Sequence, residues 1–226
     1  AAPMIVNSVK PDATRRRAEV ADVANAVSWA DYDISSDVAH RGEQAALLRL
    51  DTRESDNGAR IYGVIQEFDE QAFPRYLSGW YRVEDWARGT EKQYIQVVVI
   101  AWRPSPMPVG MRSGSYQIAY TLAGVAQPPL RIANRKFILS GVVEPVEDEW
   151  IFFEFDLHDD FRKQWRLIPS NYEFVRVLFE VRYDDKDEAE PVGAARVYYD
   201  DLYIGPESRA PSGTDVTLPT EPSGGG

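Results

Sequence analysis

Short runs of alternating apolar and polar residues, separated by turn residues, make up most of the middle of this 226-residue chain. This period-two pattern is typical of strands, because successive side chains point to opposite faces of a sheet. The strongest run, residues 93–102, is rich in β-branched and aromatic residues and stops at a Pro-rich segment. The same pattern predicts further strands at 60–68, 76–84, 115–122, 136–139, 150–157, 174–183 and 194–204. Because no long helical period lies between them, an all-β fold is expected rather than βαβ units.

The chain divides into three parts by composition. Residues 27–205 are predicted to form one two-sheet antiparallel β-sandwich. Residues 1–26 are an irregular N-terminal arm that is able to form a short helix and carries three consecutive arginines at 15–17. The arginines are interpreted either as a solvated cluster or as a docking site for an acidic partner. Residues 206–226 are rich in Pro and Gly, which predicts a linker or a disordered tail.

Composition and motif content exclude several classes of function. The chain has no Cys and two His, which excludes disulfides, thiolate zinc sites and cysteine nucleophiles and argues against His-rich metal sites. A net charge of −11 argues against nucleic acid or an anionic membrane surface as the main partner. No apolar window is long enough to span a bilayer. Phosphate-binding glycine loops, serine-hydrolase elbows and His-Glu-x-x-His zinc motifs do not occur.

Aromatic residues are abundant, with six Trp and twelve Tyr, and exposed rings of this kind can stack on the apolar faces of sugars. Most of them are expected in the core of a sandwich. On the strands at 76–84, 93–102 and 174–183, alternation places aromatic, amide and charged side chains together on the non-core face. We predict that these faces meet in one ligand groove, and the alternative is a solvated sheet face. The predicted ligand-binding residues are Trp80, Arg82, Gln96, Trp102, Glu180 and Arg182.

Asp200 and Asp201 stand next to each other inside the last predicted strand. Acidic residues are unfavourable in strands, and two like charges repel each other. Something should therefore compensate the pair. Hydrogen bonds from backbone N–H groups, an Arg side chain and a bound cation such as Ca²⁺ are the alternatives.

Three segments resemble the jelly-roll carbohydrate-binding modules of the galactose-binding-like superfamily. The segment 37–50 contains a His-Arg-Gly turn before a small-and-Leu strand, 76–82 reads Tyr-Leu-Ser-Gly-Trp-Tyr-Arg, and 199–204 carries an Asp-Asp-hydrophobic signature. The resemblance implies a jelly roll with a structural Ca²⁺ that joins the first and last strands. It places this ion at Asp200 or Asp201 together with backbone carbonyls around His40 to Glu43.

We therefore predict a non-catalytic, exported recognition module whose ligand is a carbohydrate. The chain opens with Ala-Ala-Pro, which fits the mature end left by a signal peptidase, so a periplasmic, cell-surface or secreted location is expected. The alternative is an accessory subunit that binds other proteins through its N-terminal arm or C-terminal tail. A polysaccharide hydrolase or lyase is a third interpretation, because acidic clusters occur at 144–149 and 184–190.

Overall fold

Eleven strands and one short α-helix form the part of the protein that the computed structural model describes. The described residues are 27–30, 32–54, 58–68, 72–102, 115–127, 135–170, 172–186 and 189–211. The strands are β1 (Val27–Ala30), β2 (Asp33–Ser35), β3 (Ala45–Asp51), β4 (Gly58–Phe68), β5 (Tyr76–Ala87), β6 (Gln93–Trp102), β7 (Tyr116–Ala123), β8 (Arg135–Leu139), β9 (Ile151–Asp156), β10 (Phe174–Lys186) and β11 (Ala194–Gly205). A 3₁₀ turn covers Thr52–Glu54, and the helix α1 covers Leu157–Trp165.

The strands form two sheets that pack face to face. One has six strands in the order β1-β4-β10-β6-β7-β8, and the other has five in the order β2-β3-β11-β5-β9. The four strands β3-β11-β5-β9 against β4-β10-β6-β7 give the strand order of a jelly roll. The prediction of an all-β, two-sheet sandwich is thus confirmed. Two pairings, β1 with β4 and β7 with β8, are parallel, so the sheets are not wholly antiparallel as predicted. Side chains alternate in the same way in parallel and antiparallel strand pairs. The sequence pattern therefore could not distinguish the two kinds of pairing.

The main core lies between the two sheets. Alternate residues of β6 and β10 point inward from the six-stranded sheet, and alternate residues of β5 and β11 meet them from the other side. The inward residues include Ile95, Val97, Val99, Val175, Val177, Phe179, Leu77, Tyr81, Val83, Val197 and Tyr199. This assignment confirms the core faces that the period-two pattern predicted for 93–102 and 174–183.

Like the short strands β1 and β2, the helix α1 is a regular element of the described residues that the sequence pattern did not predict. The Asp156 side chain caps it by accepting a hydrogen bond from the Asp159 N–H at 3.0 Å, and Arg166 ends it in a left-handed conformation. Leu157 and Phe161 are its buried residues, four positions apart on one side. Its three apolar residues, which include Trp165, are spaced four apart, but nine residues are a shorter window than a helical period needs to be recognised.

The first residues after β11 remain packed on the sandwich. Ser208 Oγ and the Arg209 N–H each donate to a carboxylate oxygen of Glu154 at 2.6 Å, and the Arg209 guanidinium lies 4.4 Å from the ring centre of Tyr203. Residues 206–211 of the predicted tail are thus held against β9 and β11. The rest of that tail and the N-terminal arm lie outside the described residues. Within the described part, no helix has the length and apolar character needed to cross a bilayer.

Candidate functional site

The two sheets separate the predicted groove residues into two groups. Trp80 and Arg82 lie on the outer face of the five-stranded sheet, because their neighbours Tyr81 and Val83 belong to the core. The other four predicted residues lie on the outer face of the six-stranded sheet, on β6 and β10. The prediction of one groove shared by all three strands is therefore wrong. Alternation assigns a side chain to a face of its own strand, but it does not say which sheet the strand joins.

The centre of the outer face of the six-stranded sheet holds a buried pair of polar side chains. Gln96 and Glu180 are register partners on β6 and β10, and Gln96 Nε2 donates a hydrogen bond to Glu180 Oε2. Their exposed fractions are 0% and 2%. The oxygen of the same Gln96 amide, Oε1, has no hydrogen-bond partner in the described part of the chain. A buried acceptor without a partner costs about 1–3 kcal/mol, and a hydroxyl donor would remove that cost.

Arg182 connects the two carboxylates on this face. Its Nη1 lies 3.3 Å from Glu180 Oε2, and its Nη2 donates to Asp184 Oδ1 at 2.8 Å. The Tyr94 hydroxyl donates to the other Asp184 oxygen at 2.6 Å. Burial raises the pKa of Tyr94, so its hydroxyl stays protonated as the donor. These four side chains form a preorganised row of hydrogen-bonding groups.

A stacked aromatic pair lies at one end of the same face. Trp102 and Phe174 are register partners, with ring centres 5.7 Å apart and planes inclined by 6°. The Arg176 guanidinium lies 5.2 Å from the Phe174 ring centre and 5.8 Å from that of Trp102. All three side chains are half-buried. Flat, partly exposed rings beside a guanidinium are suited to stacking against a ligand.

Between the polar row and the aromatic pair lies a small apolar cluster that is separate from the main core. It consists of Val98, Ile100, Ala119 and Leu178, with Trp102 and Phe137 packed against it. Apolar floors with a few convergent polar groups are typical of small-molecule sites. The outer face of the six-stranded sheet has this composition and is our candidate site.

Sequence reasoning named four residues of this site, Gln96, Trp102, Glu180 and Arg182, and missed others. Tyr94, Arg176 and Phe174 have the same parity on β6 and β10 as those four, so the signal that could have found them was already present. Asp184 also has this parity, but it falls one residue beyond the predicted end of its strand. Arg135 on β8 had no sequence signal, because its place next to β7 is set by tertiary structure.

Trp80 and Arg82 take part in contacts on the opposite side of the sandwich. The His40 ring stacks on Trp80, with ring centres 4.1 Å apart and planes inclined by 17°. Arg82 Nε donates to Glu84 Oε1 at 2.8 Å, and Arg82 Nη2 donates to Asp148 Oδ1 at 3.0 Å. Both side chains thus have protein partners, and a role in ligand binding stays a prediction for each.

The Asp200–Asp201 pair is compensated by nitrogen donors. Asp200 Oδ2 accepts hydrogen bonds from the backbone N–H groups of His40 at 2.8 Å and Arg41 at 3.0 Å, and Asp200 Oδ1 accepts one from the Asp201 N–H at 2.7 Å. Asp201 Oδ2 lies 2.7 Å from His40 Nδ1 and 3.4 Å from Arg41 Nε. Asp201 has a φ of 49°, at an irregularity of β11 that turns both carboxylates toward this loop.

These donors do not fit the calcium site that the family resemblance implies. Ca²⁺ takes six to eight oxygen ligands, whereas N–H groups and an imidazole surround the two carboxylates here. Glu43 is exposed, and no group of three or more His, Asp or Glu side chains in the described part could hold a metal ion. Backbone N–H groups were one of the alternatives for compensating the pair, and the structure shows them. Calcium binding by Asp200, Asp201, His40 and Glu43 stays an untested prediction.

Comparisons with known proteins found two solved structures of interest, while no family model and no curated protein matched the chain. The chain is similar to the carbohydrate-binding module TmCBM61, solved in complex with β-1,4-galactotriose, at 13% identity and a TM-score of 0.34 over 78% of this chain and 88% of that one. It is also similar to a candidate glycoside hydrolase from Bacteroides thetaiotaomicron, at 10% identity and a TM-score of 0.41. That match covers 78% of this chain and 57% of the other. Both likenesses are weak, so the function is inferred from the side chains described above.

Proposed function

We propose that this protein is a non-catalytic, exported carbohydrate-binding module, and that the sugar binds at the outer face of the six-stranded sheet. The observation that carries the proposal is the stacked pair Trp102–Phe174 on the same outer face as the polar side chains of Gln96, Glu180 and Arg182. A sugar ring presents C–H groups on its faces and hydroxyls around its edge. Aromatic rings match the faces, while amide, carboxylate and guanidinium groups match the hydroxyls.

The hydrogen bonds of the two carboxylates favour binding over catalysis. A glycosidase needs two carboxyl groups that flank the scissile bond, one to protonate the leaving oxygen and one to act as base or nucleophile. Here Arg182 bonds to both Glu180 and Asp184, and Gln96 and Tyr94 donate to them as well. Protein donors thus bind Glu180 at Oε2 and Asp184 at both of its oxygens.

A glycan array followed by affinity electrophoresis with Trp102→Ala tests the proposal. The stacking of one ring contributes roughly 0.5–1.5 kcal/mol beyond the area it buries, by analogy with aromatic pairs. Trp102→Ala should therefore weaken binding by about two- to twelvefold while the circular dichroism spectrum stays that of the wild type. Trp80→Ala is the matched control, because Trp80 is also half-buried but lies on the opposite outer face. Its affinity should equal that of the wild type.

Two results would contradict the proposal. Loss of binding in Trp80→Ala with normal binding in Trp102→Ala would move the site to the five-stranded sheet. A wild-type protein that binds no glycan on a broad array would favour the accessory-subunit interpretation. In that case, purification from the native source should yield the chain together with stoichiometric partner proteins.

A further inference from the structure

Arg135 stands out among the cations of the candidate site, because it has no ion-pair partner in the described part of the chain. It begins β8 and lies next to Gln117 of β7 in the parallel register. Its Nε donates to Gln117 Oε1 at 2.9 Å, and the Gln117 amide is oriented in turn by Ser115, 3.4 Å from its Nε2. A guanidinium has five N–H donors, and the contact with Gln117 uses one of them. The four donors on Nη1 and Nη2 form the flat fork that fits a carboxylate.

The carboxylates of the same face are already bonded elsewhere. Glu180 and Asp184 both bind Arg182, and Gln96 and Tyr94 donate to them. Burial lowers the pKa of Arg135 and the positive charge of Arg182 adds to this effect, while Glu180, Tyr94 and Asp184 oppose it. Arg135 is thus a partly desolvated cation that nearby acids do not fully compensate. An anionic group brought by a ligand would supply the missing charge.

We propose that the site binds an acidic oligosaccharide, one that contains a uronic acid, and that Arg135 receives its carboxylate through Nη1 and Nη2. This inference rests on the proposed function and names the sugar class. Trp102 and Phe174 provide the stacking surface. A carboxylate is planar and bidentate like the fork, so it fits better than a tetrahedral sulfate ester.

The net charge of −11 does not prevent this interaction. Charges farther away than about 8 Å are largely screened at physiological ionic strength, so the donors that touch the ligand decide the local balance. Hydrogen bonds to charged groups are also stronger than those between neutral ones. The acidic surface should instead lower the affinity of highly charged polymers at low salt, and affinity for them should rise as salt is added.

The test compares pairs of ligands that differ only in charge. A panel of uronic-acid oligosaccharides is titrated by calorimetry, each beside its neutral methyl ester, with a sulfated neutral oligosaccharide as a third arm. The wild type should bind at least one free acid roughly tenfold or more tightly than its ester. Arg135→Gln should bind acid and ester equally. Arg135→Lys should retain part of the preference, because it keeps the charge and loses the fork.

Lys136→Gln is the matched control, since it removes one positive charge from the neighbouring residue. Lys136 points to the other side of β8, where its ammonium lies 5.1 Å from the Trp165 ring centre. This variant should keep the full preference for the acid. If Arg135→Gln does not fold, the wild type and Arg135→Lys still test the inference, because each acid is compared with its ester in both proteins.

The outcomes separate this inference from the proposed function. Equal binding of acids and esters by the wild type, or an acid preference that survives in Arg135→Gln, would overturn the acidic-sugar inference and leave carbohydrate binding intact. Tighter binding of the sulfated ligand than of every uronate would also overturn it. Binding of no glycan at all would overturn the proposed function itself.

Discussion

Gln96 and Glu180 lie directly opposite each other on β6 and β10, and the Gln96 amide donates a hydrogen bond to the Glu180 carboxylate. Both side chains are almost completely buried, although they lie on the outer face of the sheet and not in the main core. Buried polar groups of this kind are stable only when their partners are in place. The pair therefore links the stability of the sandwich to the layout of the candidate site.

Removal of the Glu180 carboxylate should destabilise the protein strongly. Glu180→Ala leaves the Gln96 amide without its acceptor and Arg182 with one carboxylate in place of two. We expect a loss of about 3–5 kcal/mol in the free energy of unfolding, measured by urea denaturation, and a smaller loss for the isosteric Glu180→Gln. Glu43→Gln, at an exposed carboxylate, should change it by less than about 0.5 kcal/mol. An unchanged denaturation midpoint in Glu180→Ala would show that the pair does not stabilise the fold.

The hydroxyl of Tyr199 should be unfavourable for stability. Tyr199 is 1% exposed in the main core, and its hydroxyl has no hydrogen-bond partner in the described part of the chain. Tyr199→Phe removes a buried polar group and should stabilise the protein by about 1 kcal/mol. Tyr94→Phe is the control, because it loses the hydrogen bond to Asp184 and should destabilise by about 1–2 kcal/mol. Destabilisation by both variants to the same extent would indicate that Tyr199 has a partner after all.

Alkaline pH should destabilise the fold through buried tyrosines. Burial raises the pKa of Tyr81 from 10.0 to about 12. Between these two values the unfolded chain loses the phenolic proton while the folded chain keeps it. The free energy of unfolding should therefore fall as pH rises from 10 to 12, by up to about 1.4 kcal/mol per pH unit for this group, and be unaffected by it below pH 10.

Tyr81→Phe isolates this contribution. Denaturant titrations at pH 9 and pH 11 give the unfolding free energies of wild type and variant. At pH 11 the wild type should have lost stability relative to Tyr81→Phe. A constant difference across this interval would mean that Tyr81 does not titrate in the way its burial implies.

Loss of the Asp200 carboxylate should detach the loop that contains His40 and Arg41. Asp200→Ala removes the acceptor of three backbone N–H groups, and we expect a loss of about 1–3 kcal/mol in stability, seen as a lower melting temperature. Glu43→Ala, in the same loop with an exposed side chain, should leave the melting temperature nearly unchanged.

The same melting experiment addresses calcium. Because N–H groups already satisfy the carboxylate in this geometry, a chelator should leave the wild-type melting temperature unchanged. A decrease on chelation that excess Ca²⁺ reverses would instead support the structural ion that the family resemblance implies.

The sequence by itself determined most of the strands and the faces of the central ones. Period-two alternation predicted β6 with its bounds at 93 and 102, and it separated Ile95, Val97 and Val99 from Gln96 and Trp102. It succeeded because the side-chain period of a strand is a local property that does not depend on the partner strand. The helix α1 was missed for the converse reason. It has nine residues, too short a window for its apolar spacing to be recognised as a helical period, and a helix of this length is held by tertiary packing.

Tertiary structure alone decided which faces became neighbours. It placed Trp80 and Arg82 on the opposite side of the sandwich from Glu180, and it placed the His40 N–H on a carboxylate 160 residues away. It also brought Arg135 beside Gln117 through a parallel pairing. Strand order depends on which long-range pairings bury the most apolar surface across the whole chain, and no local window of sequence contains that comparison. The sequence therefore determined what each strand presents on its two sides, and the packing of the two sheets determined where those sides meet.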